Sequence, residues 1–278
     1  MKKLTIFLLL LLLCGCITQQ EKGEDKIKVV VSIPPLYEFV KEIGKDRVEV
    51  EILLPPGANP HTFEPTPKQI KYLQNADLII INGGGLEFWI DDLLKLKGTK
   101  AKVIDTSKGV QLIYEGERAN PHIWLSPKNA KIQVENIYRA LIEIEPSFKY
   151  YYYQNKEEYI KKLEELDEYA KQKFKNKDRR TMLSLHSAWA YLARDYNLTL
   201  ITILENDREP SPKHLMWVIK KAREEKISHI IVEKELNPKS AEVIAKEINA
   251  TLVFVEPLST NYIQSMHENI DKIGEALQ

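Results

Sequence analysis

The sequence predicts an α/β protein of two parallel-sheet αβ lobes joined by one long connecting helix, and three observations carry that prediction. Short β-branched or continuously apolar runs alternate with helical patterns in both halves of the chain, the signature of parallel strands covered on both faces. Between the halves, a helical pattern running to about Lys175 holds no internal Gly or Pro. The pattern also breaks at a few rigid loops, two of them built on the tripeptide Asn-Pro-His. The N-terminal lobe is assigned to residues 27–145, the connecting helix to 146–178 and the C-terminal lobe to 179–278.

Composition agrees with this size. A chain of 278 residues with 44% hydrophobic and 29% charged residues is a soluble globular mixture, long enough for one large or two medium domains. The 40 basic residues balance 40 acidic ones, so nothing in the net charge calls for a nucleic-acid partner.

The first residues are of another kind. Lys2 and Lys3 precede an apolar run, Leu4 to Leu13, that is too short for an ordinary transmembrane helix and reads as an export signal over residues 1–15. It ends in Leu13-Cys14-Gly15-Cys16, which resembles the lipobox of bacterial-type lipoproteins, with Cys16 in the place of the lipidated cysteine. Residues 16–26 then serve as a polar tether. Cleavage before Cys16 leaves no other thiol, so disulfides and thiolate metal sites are excluded and any metal must be held by His, Asp or Glu.

In the N-terminal lobe, Ile27 to Ile33 is a β-branched strand followed by a helix over Leu36 to Ile43, and Val48 to Leu54 is a second strand. The stretch Pro55 to Pro67 has five prolines and one glycine around His61 and can continue as neither strand nor helix. Thr66 and Pro67 start the next helix as N-cap and first residue. Leu78 to Asn82 is a third strand, and Gly83-Gly84-Gly85 reads as a tight turn into a helix over Leu86 to Leu96, lacking the spacing of a nucleotide loop. Ala101 to Asp105 is the fourth strand. The second rigid loop, Asn120-Pro121-His122, leads into a helix over Lys128 to Glu143.

The connecting helix carries Tyr159, Leu163, Leu166, Ala170 and Phe174 on one stripe and should be roughly 40 Å long, enough to cross both lobes. The C-terminal lobe repeats the alternation, with strands over Thr181 to Leu185, Leu198 to Leu204, Ile230 to Val232 and Thr251 to Val255. Helices are expected over Ala188 to Tyr196, Pro212 to Glu225, Ser240 to Ile248 and from about Ile263. His186 ends the first of these strands and Glu256 the last, and open α/β sheets bind ligands at the carboxyl ends of their strands.

His61, His122, His186 and Glu256 thus sit at element ends, two from each lobe. Three imidazoles and a carboxylate suit a divalent cation in a four-coordinate shell. His214, His229 and His267 have no rigid turn around them and read as surface or structural residues. Trp124 and Trp189 follow candidate ligands closely enough to wall the site, although core packing explains them nearly as well, and Glu209 reads as part of the helix start at Pro212 rather than as a partner of a ligand.

Pro-Gly-Ala-Asn-Pro-His-Thr-Phe-Glu-Pro-Thr-Pro, Asn-Pro-His-Ile-Trp-Leu-Ser-Pro, the segment His186 to Ala193, Glu209-Pro210-Ser211-Pro212 and Glu256-Pro257-Leu258 follow in the order of the signatures of zinc/manganese solute-binding proteins of ABC transporters, a family this chain resembles over nearly its whole mature length. The resemblance implies two αβ lobes with metal in the cleft between them, held by His61, His122 and His186. Members commonly have Asp where this chain has Glu256, one methylene longer, so Glu256 or a water is the expected fourth ligand. A histidine at 186, where manganese carriers often have Glu, favours zinc; the His-rich acidic loop of many zinc members is absent between Gln111 and Asn120. Zinc is the expected ion and manganese the alternative.

The expected function is capture of the ion outside the cytoplasmic membrane by a monomer anchored through Cys16, and delivery to an ABC permease without catalysis. Docking is expected to displace His186 or Glu256. A lipid-anchored zinc hydrolase and a metal-binding surface adhesin are the rival classes, though neither HExxH nor a nucleophile motif is present.

Overall fold

The structure, a computed structural model, describes residues 26–90, 100–205 and 208–277. The export signal, Cys16, nearly all of the tether and most of the helix expected over Leu86 to Leu96 lie outside those residues. No helix among the described residues is long and apolar enough to cross a membrane.

Strands β1 (Ile27–Val31), β2 (Val48–Ile52), β3 (Leu78–Ile81) and β4 (Lys102–Asp105) form one parallel sheet in the order β2-β1-β3-β4. A short antiparallel hairpin, β5 (Tyr114–Glu115) and β6 (Arg118–Ala119), follows. Strands β7 (Thr181–Ser184), β8 (Thr199–Thr202), β9 (His229–Glu233) and β10 (Thr251–Val255) form the second parallel sheet, ordered β10-β9-β7-β8. Counted from its own first strand, each sheet has the same order, 2-1-3-4. Each therefore reverses direction between its first and third strands, where an open sheet leaves a crevice at the carboxyl ends.

Helices α1 (Pro34–Gly44), α2 (Pro67–Asn75) and α3 (Pro127–Ile144) belong to the first lobe. Thr66 caps α2 in a full capping box with Gln69, and Ser126 caps α3 by accepting from the Asn129 N–H. Residues 86–89 turn rather than begin a helix, because the Glu87 carboxylate folds back to accept the N–H groups of Asn82 (2.8 Å) and Gly83 (3.0 Å).

The connecting helix α4 (Lys149–Lys175) has 27 residues, so it is about 40 Å long. Tyr159, Leu163, Leu166, Ala170 and Phe174 are all buried, as the apolar stripe requires. Polar groups fasten it at both ends. Tyr159 donates to Glu38 of α1 (2.7 Å) and Asn155 to the Ile43 carbonyl (2.9 Å), while Asp167 accepts from Tyr196 (2.9 Å) and Tyr169 donates to Asp271 (2.6 Å). In the second lobe α5 (Ala190–Asp195), α6 (Pro212–Glu224), α7 (Lys239–Ile248) and α8 (Tyr262–Ala276) complete the alternation. A single apolar cluster runs from Ile27 through α1, α3 and α4 to Leu277 of the second lobe, so the two lobes share one core.

Candidate metal centre

Three of the expected ligands converge where the two sheets' carboxyl ends face each other. The ligand atoms of His61, His122 and His186 all lie within 4.8 Å of one another, and their ring centroids are 4.6–5.0 Å apart. The Nε2 atoms of His61 and His122 are 3.0 Å apart. That is close to the edge of roughly 3.3 Å expected for two nitrogens on one tetrahedral zinc. In the absence of an ion, a His61 Nε2–H can donate to His122 Nε2 at this distance; with His61 in its other tautomer, both nitrogens turn lone pairs to the same point, where a cation can sit.

The repeated tripeptide explains how two of the rings are aimed. Asn59 Oδ1 accepts the His61 N–H (2.9 Å), and Asn120 Oδ1 accepts the His122 N–H (3.0 Å), so each Asn-Pro-His forms the same side-chain turn. Asn120 Oδ1 is also 2.9 Å from Nδ1 of His122. An amide oxygen can only accept, so Nδ1 carries the proton and Nε2 keeps the lone pair that a metal needs. Burial, reinforced by the charges of His186 and His61, pushes the His122 imidazole well below its ordinary value and keeps it neutral.

The same amide reaches across the cleft. Asn120 Nδ2 donates to the Ser187 carbonyl (2.9 Å) and to Glu115 (2.9 Å), tying the His122 loop to the segment after His186. Tyr191 donates to the Asn120 carbonyl at 2.6 Å. Behind the loop, Asn82 Nδ2 donates to the Pro121 carbonyl (2.8 Å). Gly84 lies at φ +64°, and a Cβ there would stand 3.3 Å from Pro121 Cα. The triple glycine is thus more than a turn: at Gly84 it admits the His122 loop to close range.

His186 extends from β7, beside the end of β9. There Glu233 is buried, and its Oε1 accepts from Trp189 Nε1 (3.1 Å) and Ser184 Oγ (3.4 Å). Burial pushes this carboxyl up to about 7, against the pull of His186. Trp124 is buried with its ring 5.3 Å from His122, and its Nε1 donates to the Pro257 carbonyl (2.9 Å), so it both packs and walls the site.

Glu256 does not join the three histidines. Its N–H is held by Asn269 Oδ1 (2.9 Å), its carbonyl by Ser265 (2.7 Å), and its half-exposed carboxylate accepts from Lys234 Nζ at 2.7 Å. The strand end fixes the backbone, and the lysine after β9 turns the side chain outward. Glu233 and Glu235 line the small cavity behind the histidines instead, two residues that sequence reasoning passed over. Glu209 accepts from Ser240, and the helix start at Pro212 is capped by Ser211 and braced by Glu205, which accepts the Ser211 N–H (2.7 Å). His214 stacks on Trp217, His229 contacts Ser228, and His267 lies against Tyr169, all apart from the cluster.

An open cleft of about 590 Å³ leads from solvent to His61, His122 and His186, with Phe88 and Arg118 from one side and Leu236 and Arg208 from the other. An ion has a direct path in.

Comparison with known proteins identifies the family and the fold. A family model described as ZnuA, zinc-uptake complex component A, periplasmic, matches residues 29–276. The high-affinity zinc uptake system protein ZnuA of Bacillus subtilis is 33% identical, the match covering 96% of this chain and 94% of that one. The manganese ABC transporter substrate-binding lipoprotein PsaA of Streptococcus pneumoniae is 30% identical over 96% of this chain and 94% of its own. A crystal structure of ZnuA superposes with a TM-score of 0.88 at 34% identity, covering 91% of this chain and all (100%) of that one. With the family model spanning residues 29–276 of the 278, the chain belongs to the ZnuA family of metal-uptake, substrate-binding components of ABC transporters.

Proposed function

We propose that this protein captures a divalent metal ion, zinc in preference to manganese, outside the cytoplasmic membrane and hands it to an ABC-type permease. The observation that carries the reading is the convergence of His61, His122 and His186, drawn from both lobes onto one point. A set of three nitrogen donors favours zinc over the harder manganese ion, which prefers oxygen. Relatives named for zinc and for manganese uptake both lie near 30% identity, so the support for zinc comes from the donor set rather than from the likeness.

The lobes, taken as 27–145 and 179–278 with 146–178 between them, each contribute part of the shell, and the ion closes the cleft between them. His122 and His186 are 4% and 3% exposed and emerge from elements packed in the core, whereas His61 is partly exposed on a loop whose Pro55, Pro56 and Gly57 face solvent. Release to the permease therefore proceeds through the His61 loop, in place of the His186 or Glu256 movement expected from sequence. Cys16 anchors the chain to the membrane surface through lipid, which keeps the carrier beside its permease.

The test is elemental analysis and a zinc titration of the purified protein and of His61→Ala. The native protein should bind one equivalent. Full stoichiometry and affinity in the variant would remove the basis of the reading.

A further inference from the structure

Three histidines leave a four-coordinate shell one donor short. Glu256, which the sequence places at the fourth position, is tied to Lys234 at the surface with its side chain 45% exposed. The cavity of about 20 Å³ behind the cluster, room for one small species, is bounded by His61, His122, His186, Trp124, Glu233 and Glu235. Both glutamates have an Oε2 atom that is buried and has no hydrogen-bond partner among the described residues. Burying a carboxylate oxygen without a donor is costly, and a cation is the partner that would relieve it.

The two carboxylates differ in freedom. Glu233 is inside the sheet, with Oε1 held by Trp189 and Ser184. Glu235 stands on the turn after β9, where the Leu236 N–H bonds the Glu233 carbonyl (3.1 Å); among the described residues its carboxylate is held by no side chain outside its own turn, only by its own backbone N–H, and its Oε2 has no partner. It is not among the groups already within 4.8 Å of one another, so it reaches the ion by rotating its side chain, whose torsions carry the carboxylate through several ångströms.

We propose that Glu235, and not Glu256, supplies the oxygen ligand that closes the shell once the ion has entered, with Glu233 fixed behind His186 as an orienting carboxylate. Glu235 follows the ion into place: the histidines meet it first from the open cleft, and the glutamate then caps it from the inner side. An anionic donor here offsets part of the charge of the dication in a site whose other ligands are neutral.

This inference rests on the three-histidine reading, and the experiment separates the two. Zinc affinity of the full-length protein is measured by competition with a fluorescent chelator, beside His61→Ala, Glu235→Gln and Glu256→Gln. Visible absorption of each Co²⁺-loaded protein is recorded to report its donor set. Glu235→Gln should weaken zinc at least about 10-fold and alter the Co²⁺ bands, while Glu256→Gln matches the native protein in both. Loss of affinity in Glu256→Gln alone, or no change in either, overturns the assignment; unchanged binding in His61→Ala overturns instead the reading beneath it. Glu235→Cys supplies a check independent of stability. Its Co²⁺ complex should show a thiolate-to-metal charge-transfer band absent from the unsubstituted protein, and absence of that band means residue 235 does not reach the ion.

Discussion

Asn120→Ala tests the link between the rigid loop and the metal most directly. The substitution deletes an acceptor shared by the His122 N–H (3.0 Å) and Nδ1 (2.9 Å), and donors to the Ser187 carbonyl and Glu115 (both 2.9 Å). Two effects should separate. Leaving the His122 N–H and the Ser187 carbonyl in a buried place without partners costs on the order of 2 to 4 kcal/mol of folding stability. Freeing the His122 ring lets its proton move to either nitrogen, and loss of such an orienting bond typically weakens a metal site 10- to 100-fold, about 1.4 to 2.8 kcal/mol.

Asn120→Asp divides these roles. Its carboxylate still accepts from the His122 N–H and Nδ1–H but no longer donates to Ser187 or Glu115. It should lose stability yet keep zinc affinity near the native value. Competition titrations at a temperature where all three proteins are folded, paired with urea melts, supply the comparison. If Asn120→Ala binds zinc as tightly as the native protein, the amide is a structural strut alone and the tautomer argument fails.

Three other outcomes follow from the same geometry. Free zinc at about 100 times its Kd should stabilise the folded protein by about 2.7 kcal/mol and raise Tm by roughly 5 to 10 °C, a shift that chelation reverses and His61→Ala abolishes; a Tm indifferent to zinc in calorimetry contradicts the site. Glu87, buried beyond the carboxyl end of β3, has its carboxyl pushed up to about 7 by burial from an ordinary 4.5. The folded state then holds the proton more tightly than the unfolded state, so this contribution is full below pH 4.5 and is lost as pH rises through 7. Its loss is on the order of 3 kcal/mol, and Glu87→Gln should flatten that part of the metal-free stability profile in urea melts between pH 4.5 and 7.5; an unchanged slope would refute it. Gly84→Ala must place a side chain at φ +64° and 3.3 Å from Pro121 Cα. It should cost about 1 to 3 kcal/mol in stability and weaken zinc through displacement of the Asn120-Pro121-His122 loop, whereas Gly57→Ala, with no atom within 4 Å of its new Cβ, should spare zinc affinity.

The parts legible in the sequence are those set by local rules. Strand and helix alternation follows from periodicity, and the buried stripe of α4 from its 3.6-residue spacing. The Asn-Pro-His loops announced their histidines because proline and the asparagine turn act within three residues. What escaped depends on distant neighbours. The sequence pattern ends a strand at Val232, and only the packing of β9 beside the His186 segment buries Glu233 and the Oε2 atom of Glu235. Glu256 occupies the expected place at the end of β10, but the direction of its side chain is settled by Lys234, on a different connection. The triple glycine read correctly as a turn, yet the reason for Gly84 lies in Pro121, nearly forty residues on.

How far the cleft can open follows from what crosses it. Tyr262 of α8 donates to the Trp124 carbonyl (2.7 Å) and packs edge-on against Phe39 of α1 at 4.8 Å, while Trp124 donates to Pro257. Asn120 and Tyr191 add a second set of links, and α4 is bonded to both lobes along its length. Swinging the lobes apart as rigid bodies would break these buried bonds together and expose Phe39, Trp124 and Tyr262, side chains of the kind that each contribute a few kcal/mol when buried. Losing one imidazole on an exposed loop disturbs none of them. The fold thus separates two jobs that a hinge would combine: the shared core and α4 hold His122 and His186 at fixed separation, and adjustment of the shell is left to the two ligand arms outside that core, the proline-rich loop of His61 and the turn of Glu235.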